Sequence, residues 1–145
     1  MNEVQRAVYL RMAQDVELLN LLGLGISADE SEISKRLVPT PPVTDSQDIE
    51  TLVFFRFPPT ALLTSALFEK RPIQFRIWGS DSSLQTQQLI SQRLQSLFVG
   101  EDVEIGGLEQ YSSIFYIREM QLPGSLFGKY GWAVEMELHS RILKS

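Results

Sequence analysis

The fold of this chain is decided by residues 71–98, which read RPIQFRIWGSDSSLQTQQLISQRLQSLF. The first part alternates apolar and polar residues with the period of a half-buried strand. Gly79 to Ser82 has turn chemistry, and Ser82 with Gln85 three positions later matches a capping box, which predicts that a helix starts there. The segment that follows carries apolar residues at helical spacing: Ile90, Leu94, Leu97 and Phe98. A strand, a tight polar turn and an amphipathic helix form a unit that needs a sheet to pack on.

Length and composition indicate an ordinary globular domain. The chain has 145 residues, 43% of them hydrophobic and 21% charged, so we expect a single domain over 1–145. It contains no cysteine, which excludes thiolate catalysis, cysteine-ligated zinc and a disulfide framework, and is consistent with a reducing cytoplasm.

Charge and hydropathy argue against two classes of partner. The net charge is −5 and the 13 basic residues are scattered, whereas an autonomous nucleic-acid binder needs clustered Lys and Arg. No window approaches the roughly 20 apolar residues that span a bilayer. The first residues lack the basic and apolar regions of a secretory signal, so we expect no membrane association.

The amino-terminal segment predicts one helix from Asn2 to Leu22. Asn2 can cap its start and Gly23 can end it in the left-handed conformation. Its apolar residues recur at steps of four and three and predict one face docked on a sheet: Val4, Val8, Met12, Val16, Leu19 and Leu22.

Residues 26–50 predict an extended connector or interface arm. The Ser27-Ala28-Asp29-Glu30 segment is a possible capping box for a short helix through Ser31 to Leu37. The Pro39-Thr40-Pro41-Pro42 segment then forces an extended backbone. Its PxxP pattern fits a surface connector better than recognition of the peptide by a partner.

The next segment mixes one clear strand with one undecided piece. Leu52 to Phe57 is a β-prone apolar run that predicts a strand buried on both faces or nearly so. Its aromatic residues favour core packing over a platform for stacking bases, because no basic groove accompanies them. Thr60 to Lys70 fits either a helical turn or an extra strand.

The carboxyl-terminal third predicts two longer strands. In Ser113 to Met120, Phe115 and Ile117 are expected on one face, and Ile114, Tyr116 and Arg118 on the other. In Tyr130 to Arg141, apolar Trp132, Val134, Met136 and Leu138 are expected on one face, and Glu135, Glu137, His139 and Arg141 on the other. The charged face would protect this last strand if it lay at a sheet edge.

The residues offer no catalytic constellation. His139 is the only histidine, and a solvated surface role fits it better than that of a base. Glu135, Glu137 and His139 share a face, and an exposed polar ladder explains them more simply than a metal site. No nucleophile–base pair, phosphate loop or calcium loop is present, so we expect neither an enzyme nor a cofactor.

Two features remain as candidate contacts. The helix carries a run of glutamines that fits a solvated face better than an interface: Gln85, Gln87, Gln88, Gln92 and Gln95. Residues 122–131 predict a glycine-rich loop with apolar side chains, which either binds a partner or packs under the domain. The candidate interface residues are Leu126, Phe127, Lys129, Tyr130, Pro41 and Pro42.

The order of these elements resembles that of the bacteriophage tail-completion family, the small proteins that join tail to head and to which tail terminators are structurally related. The residues that carry the resemblance are Val8 to Leu22, Phe75 to Asp81, Ile90 to Phe98 and Gly131 to Ser140. The chain departs from the pattern between Ser31 and Lys70, where the connector is longer.

The resemblance implies an α+β fold of order α-β-β-α-β-β, with a mostly antiparallel sheet of four or more strands and the amino-terminal and central helices on one face. It implies a non-enzymatic virion protein, made in the host cytoplasm, that forms a ring, commonly a hexamer, at the head–tail joint. Its partners would be further copies of itself and the tail tube protein, the head–tail connector or both. DNA would pass through the ring without specific binding, which suits an acidic subunit.

A second hypothesis keeps the fold and changes the function. A two-layer α/β sandwich whose Phe54-to-Phe57 face lines an apolar pocket would be a small-ligand or regulatory binding module. A filled core would oppose it.

Overall fold

The computed structural model describes residues 3–25, 27–38, 51–56, 62–63, 68–79, 84–100, 112–126 and 129–141. The helices are α1 (Glu3–Ala13), α2 (Val16–Leu21), α3 (Glu30–Arg36) and α4 (Gln85–Phe98). The strands are β1 (Leu37–Val38), β2 (Thr51–Arg56), β3 (Leu62–Leu63), β4 (Phe68–Gly79), β5 (Ser112–Leu126) and β6 (Lys129–Arg141). This is an α+β fold, as the sequence predicts.

The six strands form one sheet with the order β1-β2-β4-β6-β5, and β3 pairs with the first residues of β4. Between these six strands, every pairing is antiparallel except that of β1 with β2. The strand predicted from residues 71–78 is therefore the centre of the sheet, with β6 along one side. β6 is an interior strand, so its charged face does not protect a sheet edge. The edge strand on that side is β5.

The core lies on one face of the sheet. Alternate residues of β4 and β6 are fully or almost fully buried there: Ile73, Phe75, Ile77, Val134, Met136 and Leu138. Helix α4 covers them with its own buried stripe, and the rings of Phe75 and Phe98 stack with centroids 5.5 Å apart. Burying such rings is worth about 2–3 kcal/mol each, which is why the predicted amphipathic stripe docks here.

The amino-terminal helix is two helices rather than one. The apolar spacing runs on from Met12 to Leu19, but Asp15 interrupts the backbone. It has extended dihedral angles, and its carboxylate accepts a hydrogen bond from the Leu18 amide at 2.9 Å, the geometry of a helix N-cap. Periodicity alone cannot detect such a break, because the apolar residues recur at the same spacing on both sides of it. The break does turn Val16 out of the predicted buried stripe, since its side chain is 49% exposed. Gly23 does have the predicted positive φ, +80°.

Two predicted capping boxes are displaced. Helix α3 forms where predicted, but its N-cap is Asp29, which accepts from the Glu32 amide at 2.9 Å. Helix α4 starts at Gln85, with Leu84 at the N-cap in the left-handed region, φ 63° and ψ 12°, and no side-chain cap. A left-handed leucine costs about 1–2 kcal/mol. The Leu84 side chain is buried, which offsets that cost.

Two other segments, within residues 60–70 and 122–131, form strands. Within Thr60–Lys70, Leu62–Leu63 forms β3 and Phe68 begins β4, so the strand alternative holds for these residues. The loop predicted for residues 122–131 is wrong: β5 runs to Leu126, β6 starts at Lys129, and Leu126 pairs with Lys129. Both ends of the predicted loop therefore belong to a long β-hairpin.

Candidate interaction surface

The face of the sheet opposite the helices, called the outer face below, carries the polar side chains of β4 and β6. At its centre lies Glu135, whose Oε2 accepts from the Arg118 Nε at 2.8 Å and whose Oε1 accepts from the Gln74 Nε2 at 3.0 Å. Arg76 in turn donates its Nε to the Gln74 oxygen at 3.2 Å. Three strands are thus tied together by one chain of hydrogen bonds.

The electrostatics of this network indicate a structural role for Glu135 rather than a catalytic one. The hydrogen bond from Arg118 lowers the pKa of Glu135, partial burial opposes the shift, and the Gln74 bond adds to it. A carboxylate with a lowered pKa and both oxygens occupied is a poor general base near neutral pH. Glu135 is better suited to holding β5 against β6.

His139 has a partner that the sequence did not reveal. Its Nε2 lies 2.6 Å from a carboxylate oxygen of Glu137, and its ring lies against Phe115 with centroids 4.5 Å apart. The side chain is only one-third exposed, so the expected solvated surface role is only partly right. Within the described residues no group of three or more His, Cys, Asp or Glu side chains is placed to hold a metal ion.

A shallow depression of about 390 Å³ lies over this part of the outer face. Its outward-facing lining includes Pro72, Gln74, Arg76, Ile117, Glu135 and Glu137. Most of these polar groups already bond one another, so the depression lacks the set of unpaired converging groups that defines a small-ligand site.

Edge strand β5 adds exposed apolar side chains to the outer face. Its register against β6 shifts between Tyr116 and Arg118, which leaves Ile117 as an extra residue, a β-bulge. Because of the bulge, Ile117 and Arg118 both reach the outer face, which contradicts the strict alternation expected from the sequence. We call Phe115, Ile117 and Met120 the β5 row. They are 47%, 48% and 36% exposed, a large fraction for apolar side chains of this size.

In the described part of the chain, the side of β5 that faces away from β6 is a long sheet edge. Near its start, Val99 bridges to Ile114, and the Gly100 amide donates to the Ile114 carbonyl at 3.0 Å. Beyond Ile114, no strand in the described part of the chain pairs with this side of β5. An edge with several exposed apolar residues is a surface on which another chain can pack or pair.

On the helix side, one carboxylate fastens β5 to the rest of the domain. Glu119 Oε2 accepts from the Ser91 hydroxyl at 2.7 Å, the Trp132 indole at 3.0 Å and the Gln95 amide at 3.3 Å. The Ser91–Glu119 pair is no catalytic dyad, since Ser91 is fully buried. The glutamine-rich face of α4 is also not uniformly solvated as predicted, because Gln87 is fully buried.

Close packing on the outer face explains one glycine. Gly131 of β6 lies opposite Trp78 of β4. A Cβ atom at Gly131 would stand 2.7 Å from the Trp78 ring and 2.9 Å from the Leu122 side chain, closer than carbon atoms approach in proteins. The indole can cover β6 only because this position has no side chain.

The predicted interface residues occupy different places. Leu126 and Lys129 are paired at the tip of the β5–β6 hairpin, and Tyr130 pairs with Ser125 next to them. Phe127, Pro41 and Pro42 lie outside the described residues, as does most of the 26–50 connector. The structure does bring the hairpin tip and the β5 row onto one hairpin. The row itself could have been suspected from the run of large apolar residues at 114–117, but the bulge has no sequence signal.

Comparison with known proteins supports the fold. No protein-family model matches the chain, and no curated protein matches it in sequence. Among solved structures, the chain is similar to one described as "Virion of native gene transfer agent (GTA) particle", with a TM-score of 0.69 and 12% sequence identity. The likeness covers 96% of this chain and 95% of that chain. At this identity, the two chains share a fold over nearly their whole lengths.

Proposed function

We propose that this chain is a structural protein of a virus-like particle, and that it completes the tail as a ring of identical subunits at the head–tail joint. The observation that carries the proposal is the fold shared from end to end with a chain of a virion. The exposed edge strand and the lack of a catalytic arrangement in the described residues agree with it.

A ring places specific demands on its subunit. Each copy must present two different surfaces that fit one another, and the rotation between copies must close. The long β5–β6 hairpin supplies an exposed element that can reach a neighbouring chain. The candidate contacts of the sequence analysis, Leu126, Lys129 and Tyr130 at the hairpin tip, would then face the tail tube or the head connector.

Acidity fits the passage of DNA. The net charge of −5 gives a ring of such subunits a repulsive field toward phosphates, so DNA would pass through without adhering. We expect the isolated protein to bind duplex DNA no more tightly than a generic acidic protein. Tight binding that weakens steeply with salt, measured by fluorescence anisotropy, would contradict this part of the proposal.

The central experiment combines mass in solution with electron microscopy. The purified chain is analysed by light scattering and negative-stain imaging, alone and after addition of purified tail tubes. We expect closed rings in solution, or monomers that form rings on tube ends. Monomers that leave tube ends bare at high concentration would contradict the proposal.

A further inference from the structure

Resting on the proposed ring, we infer that its subunit contact seats the β5 row of one copy in a groove between α2 and α4 of the next. The groove is a depression of about 250 Å³. It is lined by Glu17, Leu21, Leu89, Gln92, Arg93 and Ser96. The occupant of each surface is therefore a second copy of this chain.

The first argument is the distribution of exposed apolar side chains. In the described part of the chain, the large ones form two sets, one on β5 and one on the helices, where Leu10, Val16 and Leu89 are 43%, 49% and 44% exposed. Of the three on the helices, Leu89 lines the groove. The β5 row faces away from the helices, so the two sets cannot cover each other within one subunit. Two unlike apolar surfaces are what a head-to-tail contact requires.

The second argument is charge. Two copies that each carry −5 repel one another, so a stable contact needs opposite charges placed together. Arg118 stands beside the β5 row with its side chain 62% exposed, and Glu17 stands on the groove with its side chain 72% exposed. In the inferred contact Arg118 of one copy would approach Glu17 of the next, in addition to the partners that each has in its own chain, Glu135 for Arg118 and Arg93 for Glu17.

The third argument is the rigidity of both surfaces. The groove is held by Arg93, whose Nη2 lies 2.6 Å from Asp15 Oδ1 and whose Nη1 lies 3.2 Å from Glu17 Oε2, so α2 and α4 are fixed relative to each other. The row is held by Arg118–Glu135 on one face of β5 and by the Glu119 bonds on the other. Surfaces that are already ordered lose little entropy when they dock.

The test uses two variants, each of which lacks one of the two contact surfaces. Phe115→Asp disables the row and Leu89→Asp disables the groove, and each is expected to weaken self-association by about thirtyfold or more. An equimolar mixture retains one intact contact, between the row of the Leu89→Asp chain and the groove of the Phe115→Asp chain. We therefore expect sedimentation velocity to show monomers for each variant alone and a one-to-one heterodimer, without larger rings, for the mixture.

Matched controls are exposed neighbours. Tyr116→Asp alters an exposed residue of β5 on its other face, and Gln88→Asp alters an exposed position next to Leu89. Both are expected to change self-association by less than about threefold, since neither faces the contact. Circular dichroism melts of all four variants verify folding.

The possible failures are distinguishable. If the wild type forms rings and the Phe115→Asp or Leu89→Asp chains do so equally well, the inference is overturned while the proposed function stands. A mixture that yields no heterodimer, or a Tyr116→Asp chain as defective as Phe115→Asp, also overturns the inference. If the wild type forms rings only on tail tubes, the same variants are scored by tube decoration. A wild type that never self-associates overturns both proposals.

Discussion

The two faces of the sheet are built on different principles. The helix-covered face is a dry core, in which Ile73, Phe75 and Ile77 are at most 1% exposed. The outer face is held by hydrogen bonds and ion pairs among half-buried polar side chains, with the apolar β5 row beside them. Stability therefore resides mainly on the first face, whereas the exposed β5 row of the second is available to bind another chain. Four substitutions probe this division.

The largest effect is expected in the core. Phe75→Ala removes a fully buried ring that stacks on Phe98 and should lower the free energy of unfolding by about 3–5 kcal/mol. Phe115→Ala on the outer face is the matched control and should cost less than about 1 kcal/mol, because its ring is half exposed. Urea denaturation measures both. Equal losses would erase the distinction between the faces.

The outer face does contain one tightly packed place. Gly131→Ala forces the Trp78 ring or the Leu122 side chain to move and should destabilise the fold by about 1–3 kcal/mol. Gly25→Ala, where an added Cβ meets nothing within 4 Å, is the control and should be nearly neutral. A neutral Gly131→Ala would mean that the indole does not depend on this close approach.

The ion pair between α2 and α4 should give a pH signature. The Arg93 hydrogen bond lowers the pKa of Asp15, burial opposes the shift, and the Leu18 amide adds to it. The stabilisation is therefore complete above the unfolded pKa of about 3.9 and is lost as the pH falls through the lower folded value. Asp15→Asn, which preserves the helix cap, should cost about 1–2 kcal/mol at pH 7.

The pH dependence provides the check on that estimate. Urea titrations from pH 7 to pH 3 should show the difference between wild type and Asp15→Asn shrinking below about pH 4, where Asp15 becomes protonated first in the unfolded chain, and it should vanish only below the lowered pKa of the folded chain. A difference that stays constant across this range would show that Asp15 acts through packing or capping rather than through its charge.

The smallest effect is expected at Glu135. Its pKa is also lowered, mainly by the hydrogen bond from Arg118. Like Asp15, Glu135 therefore adds to the free energy of unfolding at neutral pH, and this stabilisation is lost as the pH falls. Arg118 is largely exposed, however, and solvent screens the pair. Glu135→Gln should cost no more than about 1 kcal/mol. A cost above that of Asp15→Asn would place more of the stability on the outer face than we infer.

Sequence patterns predicted the strands and helices in which apolar residues recur with a regular strand or helix period. Residues 71–98 gave the central strand and helix, and the alternation in β6 assigned Trp132, Val134, Met136 and Leu138 to the core side. Each of these segments buries one face, so the spacing of its apolar residues shows directly which side chains lie in the core. The α+β class followed from the order of such segments.

The departures have local physical causes. The bulge at Ile117 shifts the faces of β5 without altering its composition, and the cap at Asp15 breaks a helix whose apolar stripe continues. Pro123 and Gly124 suggested a loop, but they fall where the register shifts between Gln121 and Ser125, and an edge strand tolerates both residues there. The polar partners of Glu119 and Glu135 come from distant segments, which no local pattern can reveal.

The bonds at Glu119 have a mechanical consequence. Pulling the hairpin away from the domain would strip the buried hydroxyl of Ser91 and the amide of Gln95, both on α4, of their shared acceptor at once, and water cannot readily replace it at Ser91. A load applied to the tip should therefore be transmitted into α4 and shared by the whole core, rather than peeling off one strand.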